Sequence, residues 1–159
     1  MGDGISDGLK DFPRQENADA ADIERTLNRL SALCGRGARE KGFHQAFEDA
    51  DFLESLAAGS EVDTLITQRL RDIAKRIRLL EVGTKLMLVV SELSEGFESV
   101  RDTGFDGHLN GEGNLGEEIA DAIIRLGDLS YMVETPLGRE VTDKMAVNKN
   151  RPYRHGRQA

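Results

Sequence analysis

The chain has no tryptophan, a single cysteine, three prolines, two tyrosines and six phenylalanines among its 159 residues. With Cys34 alone, no disulfide can form within the chain, and a reducing cytoplasm is the expected location. Aromatic and β-branched runs bounded by turn residues are scarce, which argues against a sheet. No apolar run approaches the roughly 18 residues a membrane-spanning helix needs, so no membrane partner is expected. The N-terminus lacks the charged and apolar blocks of a signal peptide. An excess of basic charge is missing as well. The 29 acidic and 21 basic side chains leave a formal net charge of -8, and no stable nucleic-acid partner is expected.

What the chain does have is Leu, Ile, Val and Ala at helical spacing, in a length that suits one all-α domain. Residues 1–17 are rich in Gly and Asp, include Pro13, and read as a disordered tail. Residues 18–159 read as a single domain ending in a basic tail, 149–159. A first helix is expected over about 19–39, with Ile23, Leu27, Leu30 and Leu33 on one side and a weak end near Gly35 and Gly37. Cys34 shares its apolar face and reads as core. A helix over about 62–80 carries Leu65, Ile66, Leu70, Ile73, Ile77 and Leu80, opposite a basic, solvated face of Arg69, Arg71, Lys75, Arg76 and Arg78. Gly83 then permits a break or bend. Pro136 suits the start of a last helix, over about 137–148.

Chemistry concentrates between Lys85 and Asp128. Glu92 and Glu95 form one carboxylate pair and Glu118 and Asp121 a second, each spaced i, i+3. On a helix that spacing places both side chains on one face, roughly 60° apart around the axis. Each pair borders an apolar stripe: Leu86, Val89, Val90, Leu93, Phe97 and Val100 on the first helix, and Leu115, Ile119, Ala122, Leu126 and Leu129 on the second. Asp128 lies one heptad beyond Asp121. By spacing alone, two readings stand side by side. Either the acids form solvated faces, or packing of the two helices brings them to one point, where hard divalent cations find oxygen ligands.

Three further stretches each allow more than one reading. Phe43 and His44 have the side chains to stack on, or hydrogen-bond to, a nucleobase; by packing alone, Phe43 belongs in the core and His44 at the surface or on a helix cap. The Gly-rich segment 102–114 comes near an EF-hand, with Asp106, His108, Asn110, Gly111 and Glu117 at loop positions one, three, five, six and twelve. Histidine is a poor calcium ligand and Gly113 stands where an apolar anchor belongs, but a calcium-binding helix-loop-helix module without catalysis is the alternative from another functional class. The basic end, with Lys144, Lys149, Arg151, Arg154, His155 and Arg157, reads as a solvated tail, an RNA patch, or a cationic arm for polyphosphate. A di-iron bundle wants Glu-x-x-His pairs, and none of His44, His108 or His155 has a glutamate three residues before it.

Glu92-x-x-Glu95 followed by Glu118-x-x-Asp121 resembles the pattern of MazG-like all-α nucleoside triphosphate pyrophosphohydrolases. Lys85 to Glu95, Gly107-His108-Leu109, Glu118 to Asp128, Lys41-Gly42-Phe43-His44 and the terminal Asn-Arg-Pro-Tyr-Arg-His-Gly resemble the short, phage-type branch over about residues 20 to 157. The resemblance implies cleavage of a (d)NTP to (d)NMP and pyrophosphate, with Glu92, Glu95, Glu118 and Asp121 as catalytic carboxylates holding Mg²⁺ or, in its place, Mn²⁺. It implies phosphate contacts from Lys144, Asn148 and Arg151, with Lys149 and Arg154 behind them. It also implies a homodimer, completing a four-helix core, or a homotetramer, in the cytoplasm of a bacterium or an infected host. A guanine nucleotide, dGTP or GTP, is the expected substrate. Ser91 departs from the pattern, since many relatives carry a glutamate there, which leaves the general base unassigned among these carboxylates.

Overall fold

The structure is a computed structural model and describes residues 20–59, 64–104 and 114–151. The expected N-terminal tail, most of the EF-hand-like loop and the end of the basic tail, including Arg154, lie outside the described residues. Five helices account for almost all of the rest, and no strand occurs among the described residues: α1 (Ala20–Glu40), α2 (Gln45–Gly59), α3 (Thr64–Thr103), α4 (Leu115–Met132) and α5 (Leu137–Lys149).

The main departure from expectation is α3. It does not stop near Leu80 or break at Gly83 but runs unbroken for 40 residues. No proline lies between Pro13 and Pro136 to interrupt it. A single interior glycine costs only about 1 kcal/mol, which lateral packing readily offsets. That packing comes from two partners, α2 and α4. α1 lies against α4, and α5 against α1.

The helices approach closely because small residues line their crossings. The buried apolar residues are mostly Ala50, Ala57, Ala74 and Ala122, with Val89, Leu129 and Met132. α1 does not weaken at Gly35, which is buried where a Cβ would overlap the Tyr131 ring. Ser31 Oγ donates to the Gly127 carbonyl at 2.9 Å and pins α1 to α4. Cys34 is half-buried beside Gly127, and burial together with the charge of Asp128 raises its pKa, so the thiol stays protonated. α4 starts at Asn114, whose side chain accepts from the amides of Gly116 and Glu117. At the start of α5, the Gly138 amide donates to Asn28 Oδ1 at 2.8 Å.

The apolar stripes bordering the acids lie mostly at the surface of the single chain. Leu86, Val90, Leu93 and Phe97 are exposed on α3, and Ile119 and Leu126 are exposed on α4. Of those stripes, only Val89, Ala122 and Leu129 are buried. Phe43 and His44 also exchange places relative to the packing expectation. Phe43 is 61% exposed, whereas His44, the largest fully buried side chain, is 2% exposed.

These crossings separate two kinds of glycine. A Cβ at Gly138 would lie 2.2 Å from the Glu24 carbonyl oxygen, which is backbone and has little room to yield; a Cβ at Gly83 would meet nothing within 4 Å. Gly138→Ala is expected to destabilise the fold by about 1–3 kcal/mol, and Gly83→Ala to stabilise it by about 0.5–1 kcal/mol. Chemical denaturation of the two variants at equal protein concentration checks both signs.

Candidate functional site

α3 and α4 run antiparallel, and three contacts set their register. Near the chain reversal, a Cβ on buried Gly96 would already touch Leu115 Cδ1 at 3.2 Å and Glu118 Cβ at 3.3 Å. Farther along, Arg125 Nε donates to Glu92 Oε1 at 2.6 Å. At the far end, Lys85 Nζ donates to Asp128 Oδ2 at 2.7 Å. The buried positions of this part of α3 are therefore Lys85, Val89, Glu92 and Gly96. They follow the spacing i, i+4, i+7, i+11, so the seam carries the charged residues while the apolar stripe beside it faces out.

Three of the four expected carboxylates converge. Glu92, Glu95 and Glu118 each offer an oxygen, and these oxygens all lie within 4.8 Å of one another. Glu92 and Glu118 are each only 6% exposed, while Glu95 is open to solvent. Asp121 stands outside that trio, on the exposed side, but its charge acts on Glu118. Ser91, at the position of departure, donates its hydroxyl to Glu95 Oε1 at 3.1 Å.

The crowding has an electrostatic consequence. Burial pushes the Glu118 pKa above its ordinary 4.5, and a hydrogen bond with Glu92 and the charges of Glu95, Glu92 and Asp121 push it the same way. Arg125 supplies the trio's one paired cation among the described residues, through Glu92. The donor set is all oxygen and carries excess negative charge, which fits a hard divalent ion such as Mg²⁺ or Mn²⁺.

Beyond the trio, the groove opens into a cavity of about 400 Å³ between α1, α3 and α4. Asp121 and Arg125 line it at the acidic end, Lys85 and Asp128 at the other. Asp128 is held from both sides: His44 Nε2 lies 2.6 Å from Oδ1, and Lys85 occupies Oδ2. This buried His44–Asp128–Lys85 group was not legible as a unit in the sequence. Its one signal is periodic, since Lys85 precedes Glu92 by a heptad just as Asp128 follows Asp121 by one.

The remaining expected residues are placed less centrally. His44, named for base binding, has its ring buried against Asp128 and Tyr131, whereas Phe43 lies exposed and lines the cavity. Lys144, Asn148, Lys149 and Arg151 are exposed on α5 and just after it, and none makes an ion pair with the trio within the chain. α5 packs mainly on α1. Of the EF-hand-like set only Glu117 is described, in the first turn of α4. No described helix is long and apolar enough to cross a membrane. Comparison with family models, curated proteins and solved structures finds no match.

The raised pKa of Glu118 makes a stability prediction. The folded chain holds this proton more tightly than the unfolded chain does, so the contribution is full below pH about 4.5 and is lost as pH rises through the raised value. Metal-free protein should therefore lose thermal stability with rising pH over that window, and Mg²⁺ should stabilise it more at the upper end. Glu118→Gln should flatten both responses, as measured by calorimetry with and without Mg²⁺.

Proposed function

We propose that this chain is a metal-dependent nucleoside triphosphate pyrophosphohydrolase of the MazG-like all-α kind, cleaving a (d)NTP to (d)NMP and pyrophosphate, with a guanine nucleotide as first substrate. One observation carries the reading: Glu92, Glu95 and Glu118, from two different helices, converge beside Asp121 and Arg125, which line a cavity of about 400 Å³. Bound Mg²⁺ or Mn²⁺ would neutralise the polyphosphate and lower the pKa of an attacking water.

The residues divide the remaining work. Glu92, Glu95 and Glu118, joined by Asp121, hold the ions. Water adds at phosphorus, the α–β bridging P–O bond breaks, and pyrophosphate leaves. One of these carboxylates accepts the water's proton. Arg125, already at the trio, and Asp121, on the cavity wall, lie where the phosphates enter. Lys144, Asn148, Lys149, Arg151 and Arg154 are the proposed outer phosphate contacts, reached from α5 of the same chain or of a partner copy.

The reading includes a homodimer, alone or within a homotetramer. Leu86, Val90, Leu93 and Phe97 on α3 and Ile119, Ile123 and Leu126 on α4 are exposed together in the single chain. Contiguous apolar surface of this kind marks an interaction site. A second α3–α4 pair packed on it would complete a four-helix core with the acids at its margin.

Activity is tested with purified protein, Mg²⁺ and each NTP and dNTP, with products separated. Formation of NMP and pyrophosphate is expected, and Glu118→Gln or Asp121→Asn should lower turnover at least 100-fold while circular dichroism is unchanged. Full turnover in either variant would remove the proposed site. Assembly is tested separately by light scattering. Leu93→Glu, at a position already exposed in the monomer, should convert a dimer or tetramer to monomer; a wild-type protein that is monomeric at micromolar concentration would contradict the four-helix core.

A further inference from the structure

The acidic trio accounts for one end of the α3–α4 groove and leaves the other unexplained. There Lys85 and Asp128, each less than a tenth exposed, line the cavity rather than being sealed by apolar packing. Seven residues of helix separate Asp121 from Asp128, about 10 Å along the axis. That is the scale of the span from an α-phosphate to the far edge of a purine. Between the two ends the walls are apolar: Leu33 from α1, Phe43 from the α1–α2 turn, Leu88 from α3 and Ile124 from α4.

We infer that the Lys85–Asp128 pair is the base-reading element of this cavity and that it selects guanine. The inference rests on the hydrolase reading above, which already names a guanine nucleotide; what it adds is the pair of residues that reads the base, at the far end of the groove. An ionised carboxylate has about four lone-pair positions. His44 takes one on Oδ1 and Lys85 one on Oδ2, which leaves an acceptor on each oxygen. An ammonium has three donors, and Lys85 commits one to Asp128, with Glu81 farther off at 3.9 Å.

The free edge therefore reads acceptor, acceptor, donor: Oδ1, Oδ2, Nζ. Guanine presents the complement in order, with the 2-amino group and N1–H as neighbouring donors and O6 as acceptor. Adenine, cytosine, uracil and thymine present no donor–donor–acceptor run. His44 acts here as a positioning residue. Its bond to Oδ1 fixes the carboxylate's rotation, and its burial excludes water from behind the pair. A mismatched base leaves a buried donor or acceptor of the pair without a hydrogen-bond partner, which costs more than the net worth of one hydrogen bond.

The test compares dGTP, dITP, dXTP and dATP as substrates of the intact protein with Mg²⁺. In parallel, dGMP, dIMP and dAMP are compared as ligands by thermal shift without turnover. Removal of the 2-amino group should lower kcat/KM for dITP about tenfold or more relative to dGTP. dATP should be poorer still, and only dGMP should shift the melting temperature strongly. Asp128→Asn exchanges an acceptor for a donor, so dXTP should rise relative to dGTP.

Equal kcat/KM for dGTP and dITP, or a preference for dATP, would overturn the inference while leaving the hydrolase reading intact. Selective stabilisation by dGMP with no hydrolysis of any triphosphate would do the reverse. An unaltered dXTP to dGTP ratio in folded Asp128→Asn would place base recognition elsewhere and overturn the assignment. Should that variant fail to fold, the wild-type dITP to dGTP ratio and the monophosphate shifts decide.

Discussion

Ion pairs inside a helix–helix seam govern this protein. Where two helices usually bury leucine against leucine, α3 and α4 bury Lys85 against Asp128 and set buried Glu92 against a partly exposed Arg125. A charge taken out of water needs its counter-charge in place, and stranding one member of such a pair costs about 3–5 kcal/mol. A slip or rotation of either helix would strand several at once. The pairs thus define register and facing more sharply than apolar contacts, which tolerate repacking.

That constraint has a price in surface. With Lys85, Val89, Glu92 and Gly96 turned inward, the neighbouring Leu86, Val90, Leu93 and Phe97 must turn outward. The interior left to the single chain is lined with alanine and glycine, which lets helices approach closely but removes little apolar area from water. Close approach also explains the state of the acids. At Gly96 the absence of a side chain lets Glu118 come near Glu92 and Glu95, and burial together with that crowding raises the Glu118 pKa.

The two ends of the groove are electrostatically different. The trio has more negative charge than Arg125 can balance, which attracts cations. The His44–Asp128–Lys85 end has matched charges and unused hydrogen-bond capacity, which suits a neutral, polar heterocycle. Under the proposed function, one groove would hold the metal-bound polyphosphate at one end and the base at the other, with apolar walls between them.

Helical periodicity, the absence of sheet signals and a proline-free stretch from residue 14 to 135 were enough to determine an all-helical chain and the approximate bounds of α1 and α5. The i, i+3 spacing of Glu92 with Glu95 and Glu118 with Asp121 placed each pair on one helix face, because that spacing is a local property of the helix; that Glu92, Glu95 and Glu118 converge while Asp121 stands aside was decided by packing. Facing was not local. Whether Lys85 or Leu86 points inward, and whether Phe43 or His44 is buried, depends on which charge finds a partner across a sequence separation of more than 40 residues. A one-dimensional pattern shows each charge alone, where exposure is the cheaper state; only tertiary packing supplies the opposite charge that reverses the preference. The continuity of α3 through Gly83 has the same origin, since α2 and α4 support the helix on either side of a residue that by itself weakens it.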